Sequence, residues 1–141
     1  MDIYQKLADG SGPEELLLGG KGGEKDVEDW SPDGKYLTYN YRTPSAAHLY
    51  VLPLAGDRKP VPFLDTENVT VQGRFSPNGR WLAYFSTESG RSEVYVQGFT
   101  LNSTQARGKW QISTAGGEQP KWRRDGKELI TSSTTHSTQW M

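Results

Sequence analysis

The two histidines are the residues best suited to acid–base chemistry near neutral pH, and neither stands in a catalytic pattern. His48 lies in "SAAHLYV", far in sequence from any paired carboxylates, and His136 lies in a polar tail. The chain contains no cysteine and no "GxSxG" nucleophile elbow. We therefore predict that the chain is not an enzyme, that it has no catalytic residues, and that it uses no cofactor.

Other segments resemble ligand or modification sites but lack part of the pattern. "GGKGGEKD" at 19–26 is similar to a phosphate-binding loop, yet glycines rather than Ser or Thr follow Lys21. We interpret it as a flexible connection. No group of side chains has metal-ligand spacing. The sequons "NVT" at Asn68 and "NST" at Asn102 are predicted to be coincidental, because no signal peptide accompanies them.

Charge and hydropathy argue against two classes of partner. The chain has 16 basic and 17 acidic residues, a net charge of −1, and no basic stripe, so we predict no binding to nucleic acid or to an anionic membrane. No run approaches the roughly 20 apolar residues that cross a bilayer. As written the chain is predicted to be cytoplasmic, or periplasmic if it is a fragment of an exported parent.

The elements that position these residues repeat along the chain. "WSPDGKYLTY", "FSPNGRWLAY" and "WRRDGKELIT" begin 45 and then 47 residues apart, at Trp30, Phe75 and Trp122. A series of tyrosines keeps the same period, at Tyr4, Tyr50 and Tyr95. A period of about 45 residues with four short strands per unit is typical of a β-propeller blade. The sequence therefore predicts an all-β protein made of blades of four antiparallel strands.

Each repeat begins with a tight hairpin between the first two strands of a blade. In "SPDGK" Pro32 and Asp33 favour a type I turn, and Gly34 supplies the left-handed conformation of a G1 bulge. The first blade is predicted to comprise 27–31, 35–42, 48–54 and 60–65. The second is predicted to comprise 71–76, 81–86, 93–99 and 109–113. Half-blades are predicted at either end, with strands at 2–7 and 14–18 and at 119–123 and 128–132.

The sequence resembles a known family in "WSPDGKYLTY", "FSPNGRWLAY", "SGRSEVYVQGF" and "GKWQISTAGGEQPKWRRDGKEL". These segments are similar to the TolB-like (WD-like) β-propeller repeats of bacteria, including propellers appended to serine/threonine kinases and to some peptidase-type proteins. The resemblance extends from Asp2 to Ile130 and implies a six-bladed ring that binds other proteins. The segment after Ile130 departs from the pattern, so we assign 1–132 to a propeller half-ring and 133–141 to a divergent polar tail.

The predicted strands amount to about three blades, arranged as half, two and half. Known propellers close with about four to eight blades, and an open arc leaves strand edges unpaired. We expect two chains to close one six-bladed ring as a homodimer, in which the C-terminal half-blade of each joins the N-terminal half-blade of the other. The alternative is that the chain is a fragment of a longer propeller.

Topology predicts where such a propeller would bind a partner. The "PDG" hairpins must share one face, so the loops that enter the first strands share the other. The candidate binding residues in those loops are Asp26, Glu28, Glu67, Asn68, Glu118 and Gln119. We predict a non-enzymatic interaction module that recognises a protein or peptide through this loop face. The alternatives are a regulatory or sensor propeller that binds a small molecule or cation in its central channel, and loops that are merely solvated.

Overall fold

The computed structural model describes residues 1–64, 66–101 and 108–133. Within these ranges every regular element is a β-strand. The strands are β1 Ile3–Gln5, β2 Glu15–Leu18, β3 Glu24–Trp30, β4 Tyr36–Thr43, β5 Ala46–Pro53, β6 Val61–Pro62, β7 Thr70–Phe75, β8 Trp81–Ser86, β9 Glu93–Gly98, β10 Lys109–Gln111, β11 Glu118–Trp122 and β12 Leu129–Ser132.

These strands form two complete blades and two half-blades. One four-stranded antiparallel sheet has the order β3-β4-β5-β6 and the next has the order β7-β8-β9-β10. The pairs β1-β2 and β11-β12 form the two-stranded sheets. The predicted all-β class and the sequence of half, two and half blades are therefore confirmed for the described residues.

Several predicted strand boundaries were wrong. β3 begins at Glu24 rather than Val27, because its pairing continues along the long strand β4 as far as Glu24 opposite Arg42. Asp26 and Glu28 therefore lie in a strand, and so do Glu118 and Gln119 at the start of β11, rather than in loops. The fourth strand of the first blade is reduced to β6, where Pro60 and Pro62 have no N–H to donate. Its predicted end, Asp65, lies outside the described residues.

The remaining differences are smaller. β5 begins at Ala46 rather than His48, because the ladder with β4 extends to Thr43 opposite Ala46. β10 ends at Gln111 rather than Ser113, and Ser113 instead donates a side-chain hydrogen bond to Glu93. The predicted boundary of the polar tail at 133 and the residues His136 and Asn102 are not tested, since 134–141 and 102–107 lie outside the described residues.

The hairpins have the predicted geometry. In the first blade Ser31 N donates to Tyr36 O at 2.8 Å, Gly34 N donates to Ser31 O at 2.8 Å, and Gly34 has φ +73°. Lys35 N also donates to Asp33 Oδ1 at 3.0 Å, so the aspartate stabilises the turn. The equivalent glycines, Gly79 and Gly126, have φ +71° and +73°. The recurring motif is therefore a structural turn.

The apolar core lies between consecutive sheets. Residues of the N-terminal half-blade and the first blade form one cluster: Ile3, Leu17, Leu37, Tyr39 and Leu52. Residues of the two complete blades form the next: Leu49, Phe75, Leu82, Tyr84 and Tyr95. Every residue of β9 is buried, so this strand is covered on both faces.

Gly73 allows these two blades to approach each other closely. A Cβ atom at Gly73 would lie 2.6 Å from Cδ2 and 2.8 Å from Cδ1 of Leu49 in the neighbouring blade. Leu49 is itself buried in the second cluster, so it has little space into which to move. The backbone at Gly73 is thus constrained by packing.

We expect Gly73→Ala to lower the free energy of unfolding by about 1–3 kcal/mol, because it overpacks this contact. Leu49→Val removes the two Cδ atoms, so Gly73→Ala should cost much less in that background. Urea unfolding of the four proteins in this double-mutant cycle measures the coupling. Additive costs for the two substitutions would show that the contact does not limit packing.

Candidate functional site

The first strand of each blade, called the inner strand below, is β3, β7 or β11. These inner strands share a β-bulge that changes the direction of their side chains. The bulges fall between Val27 and Asp29 in β3, between Val71 and Arg74 in β7, and in β11 between Glu118 and Lys121. Gln72 and Gln119 occupy the same position of their repeats and have φ +62° and +54°. Such a left-handed conformation costs a non-glycine residue of order 1 kcal/mol, and it concentrates at functional sites.

Polar groups of one blade hold the inner strand of the next. Gln72 N donates to Asn40 Oδ1 at 2.9 Å, and Gln119 N donates to Gln72 Oε1 at 2.7 Å. Phe75 N donates to Asp29 Oδ2 at 2.7 Å. The two bulged glutamines are therefore fixed in place by hydrogen bonds.

Between the three inner strands lies a cavity of about 290 Å³, which we call the inner-strand pocket. Its lining residues are Glu28, Gln72, Arg74, Gln119, Pro120 and Lys121. Glu28 is only 12% exposed, and its Oε2 lies 2.8 Å from Arg74 Nη2. Its Oε1 accepts a hydrogen bond from Asn40 Nδ2. Burial raises the pKa of the Glu28 carboxyl, because desolvation outweighs the opposing effects of Arg74 and Asn40.

A broader depression of about 510 Å³ lies beside this pocket. Arg74 and Lys121 line both, and the depression adds the half-exposed Trp30 together with Trp122. Trp122 Nε1 donates to Arg74 O at 3.0 Å, so its indole is anchored to the preceding blade. The site thus combines charged and amide side chains with an aromatic surface.

The structure brings together two of the six predicted binding residues. Glu28 and Gln119 line the inner-strand pocket. The Asp26 carboxylate instead pairs with Arg42 at 3.2 Å, and Glu118 O accepts a hydrogen bond from Ser132 Oγ. The other two, Glu67 and Asn68, are exposed before β7, and their side chains form no hydrogen bond or ion pair within the described residues.

Sequence reasoning missed Gln72, Arg74 and Lys121. All three were placed inside first strands, where alternation alone gives no reason to expect them at a pocket. The signal that could have identified them is the repeat itself. Gln72 and Gln119 stand three residues before Phe75 and Trp122, and Arg74 and Lys121 stand one residue before.

Glu93 is a buried carboxylate outside the pocket, and its contacts are structural. The side chain is 1% exposed, and Arg91 Nε lies 2.7 Å from its Oε1. Gly116 N donates to the same oxygen at 3.0 Å, and Ser113 Oγ donates to Oε2. Burial alone would raise the pKa of Glu93, but these donors together lower it. Glu93 therefore joins β9 to the segment that follows β10.

Other chemistry-bearing residues form no further centre in the described ranges. His48 lies in β5 opposite Tyr41 of β4, and Gly23 N in the glycine-rich segment donates to Tyr41 Oη at 3.0 Å. Within residues 1–64, 66–101 and 108–133, no three His, Asp or Glu side chains are grouped so as to hold a metal ion. No helix in these ranges is long and apolar enough to cross a membrane.

Solved TolB structures share this fold. TolB from Acinetobacter baumannii matches with a TM-score of 0.71 and 21% identity, over 92% of this chain and 31% of that chain. A protein from Agrobacterium tumefaciens described as a TolB matches with a TM-score of 0.73 and 21% identity, over 92% and 44% respectively. The predicted resemblance to TolB-like propellers is therefore confirmed in the fold. No family model matches the chain.

The curated relatives are fungal peptidases. Dipeptidyl-peptidase 5 of Aspergillus fumigatus is 30% identical over 135 residues, which is 79% of this chain and 18% of that protein. Probable dipeptidyl-peptidase 5 of Aspergillus terreus is 31% identical over 140 residues, which is 82% of this chain and again 18% of that protein. The chain thus spans about a fifth of the length of these relatives. The similarity to kinase-linked propellers stays a prediction.

The raised pKa of Glu28 predicts a pH-dependent stability. Since the folded-state pKa exceeds the unfolded one, deprotonating Glu28 costs stability as pH rises through that range. Lowering the pH from about 7 to about 4.5 should therefore raise the free energy of unfolding of the wild type relative to that of Glu28→Gln. Urea unfolding at both pH values measures this shift. The same comparison with Glu67→Gln, at an exposed position, should show little dependence on pH. If Glu28→Gln instead gained stability relative to the wild type at low pH, the assignment would be contradicted.

Proposed function

We propose that this chain, with the fold of TolB propellers, is a non-enzymatic module that binds a protein or peptide at the inner-strand pocket. The observation that carries the proposal is the pair of strained bulges at Gln72 and Gln119, which turn polar side chains toward one cavity. Strain of this kind persists where surrounding hydrogen bonds maintain it, and it favours a role in recognition.

The inner strands also suit a peptide ligand. β3 and β7 are at the ends of their sheets, so each has a strand neighbour on one side only. Extended peptides bind to such edges through backbone hydrogen bonds, while adjacent pockets select side chains. The depression containing Trp30 would provide an apolar contact beside the polar pocket.

The peptidase relatives support a ligand of this class. Dipeptidyl-peptidases, by name, act on peptides, and the matched segment amounts to 18% of their length. If the parent of this chain were such an enzyme, this propeller region would hold the substrate and the catalytic groups would lie in other segments. A small molecule in the same pocket is the alternative, as in a sensor propeller. A cytoplasmic location, or a periplasmic one in an exported parent, stays a prediction.

We further propose that two chains close one six-bladed ring. β11-β12 supply the first two strands of a blade and β1-β2 supply the last two, so joined they would make a complete blade. Tyr4 on β1 is 54% exposed and Ile130 on β12 is 72% exposed, so both strands present apolar side chains that a partner would cover. The repeat places Thr131 opposite Tyr4, equivalent to Tyr84 opposite Tyr95.

Peptide selection tests the binding function. Peptides enriched from a random linear library on the wild-type chain should shift the backbone amide resonances of the inner-strand bulges in an isotope-labelled sample. Shifts confined to the outer strands β6 and β10, or the absence of any enriched sequence, would contradict the proposal. If small-molecule fragments bound to the same pocket and no library peptide did, the result would favour the sensor alternative.

Light scattering coupled to size exclusion tests the ring. A homodimer should have a mass of about 32 kDa, twice the 15.8 kDa of the chain. Cysteines at Gln5 and Ile130, which the repeat aligns as partners across the joined edge, should form a disulfide between chains. A stable monomer at 15.8 kDa would rule out the homodimer.

A further inference from the structure

The hydrogen-bond acceptors of the inner-strand pocket are already in use. Glu28 Oε1 accepts from Asn40 Nδ2, and Glu28 Oε2 forms an ion pair with Arg74 Nη2 at 2.8 Å. Gln72 Oε1 accepts from Gln119 N at 2.7 Å. Gln119 Oε1 accepts more weakly from Ser132 Oγ at 3.4 Å. Each of these side-chain oxygens thus already has a partner within the protein.

The donors of the pocket are largely unused. The amide nitrogens of Gln72 and Gln119 have no protein acceptor within the described part of the chain, and Lys121 Nζ has no ion-pair partner there. Charge points the same way, because Arg74 and Lys121 oppose the single carboxylate of Glu28. Two glutamines and a lysine with unused donor groups thus line a small cavity whose lining has a positive charge balance.

We infer that the inner-strand pocket binds a carboxylate, supplied by an acidic side chain of the peptide partner. This inference rests on the proposed function and specifies its ligand chemistry. A carboxylate accepts hydrogen bonds at both oxygens and carries the charge that complements Lys121. A neutral amide would bring one acceptor oxygen instead of two and no charge to complement Lys121. An apolar residue next to the acidic one would lie toward Trp30, since the adjoining depression shares Arg74 and Lys121.

Two acetylated and amidated tripeptides, Gly-Glu-Gly and Gly-Gln-Gly, test the charge requirement on the isotope-labelled wild-type chain. The glutamate peptide should shift the side-chain amide resonances of Gln72 and Gln119, with an affinity about tenfold higher than that of the glutamine peptide, because hydrogen bonds to a charged acceptor are the stronger ones. Equal affinities for the two peptides would overturn the inference.

Lys121→Gln should weaken binding of the glutamate peptide about tenfold while leaving the glutamine peptide unchanged. Lys127→Gln is the matched control, because it removes the same charge from an exposed residue of the β11–β12 hairpin. That variant should bind like the wild type. An equal loss in both variants would show that net charge, rather than the pocket, attracts the peptide, and would also overturn the inference.

Failure of this inference is distinguishable from failure of the proposed function. In one outcome, library peptides lack acidic residues, bind at the pocket, and bind Lys121→Gln as tightly as the wild type. That result would refute the carboxylate inference and leave the proposed peptide binding in place. Specific binding of the glutamate tripeptide, with library peptides that map elsewhere, would support the carboxylate site and refute peptide recognition at this pocket.

Discussion

The innermost strand of each blade has a sheet neighbour on one side only, so its remaining backbone groups need partners from outside its own ladder. Side chains of the preceding blade meet part of this need. Asp29 accepts from Phe75 N, and Thr38 Oγ1 donates to Gly73 O at 2.9 Å. These bonds set the spacing of the blades near their inner edges, while the apolar clusters fill the space between the sheets. The close approach at Gly73 follows from both.

The need of the inner strands for hydrogen-bond partners also produces the pocket. In an inner strand without a bulge, successive side chains would point to opposite faces of the sheet. The bulges bring Gln72 and Gln119 to equivalent positions, where the side chain of one holds the backbone of the other. Gln72 therefore supports the fold and lines the pocket at once. Glu28 has a similar double role, since it pairs with Arg74 across two blades and also neutralises one of the two cations in the cavity.

The repeat could be predicted from sequence because its signals are local. Pro32, Asp33 and Gly34 specify a turn by their own conformational preferences, and the period then orders the strands. The start of β3 could not be predicted in this way, because it depends on how far β4 extends opposite it. For a related reason, the candidate binding residues named from the sequence include only Glu28 and Gln119 of the pocket lining. The position of Gln72 and Gln119 is occupied by Val27 in the first repeat, so the three repeats together do not show a polar residue at that position.

The position just before the recurring aromatic residue shows how the fold leaves some side chains available. In the first blade it is Asp29, whose carboxylate is needed to accept from Phe75 N. In the second it is Arg74, whose backbone oxygen accepts from Trp122 Nε1, so its side chain is not required for that contact. In the half-blade β11-β12 it is Lys121, whose ammonium group bonds to nothing else in the described chain. Arg74 and Lys121 thus place two positive charges at the pocket, and Glu28 pairs with only one of them. A ligand carboxylate would pair with the other.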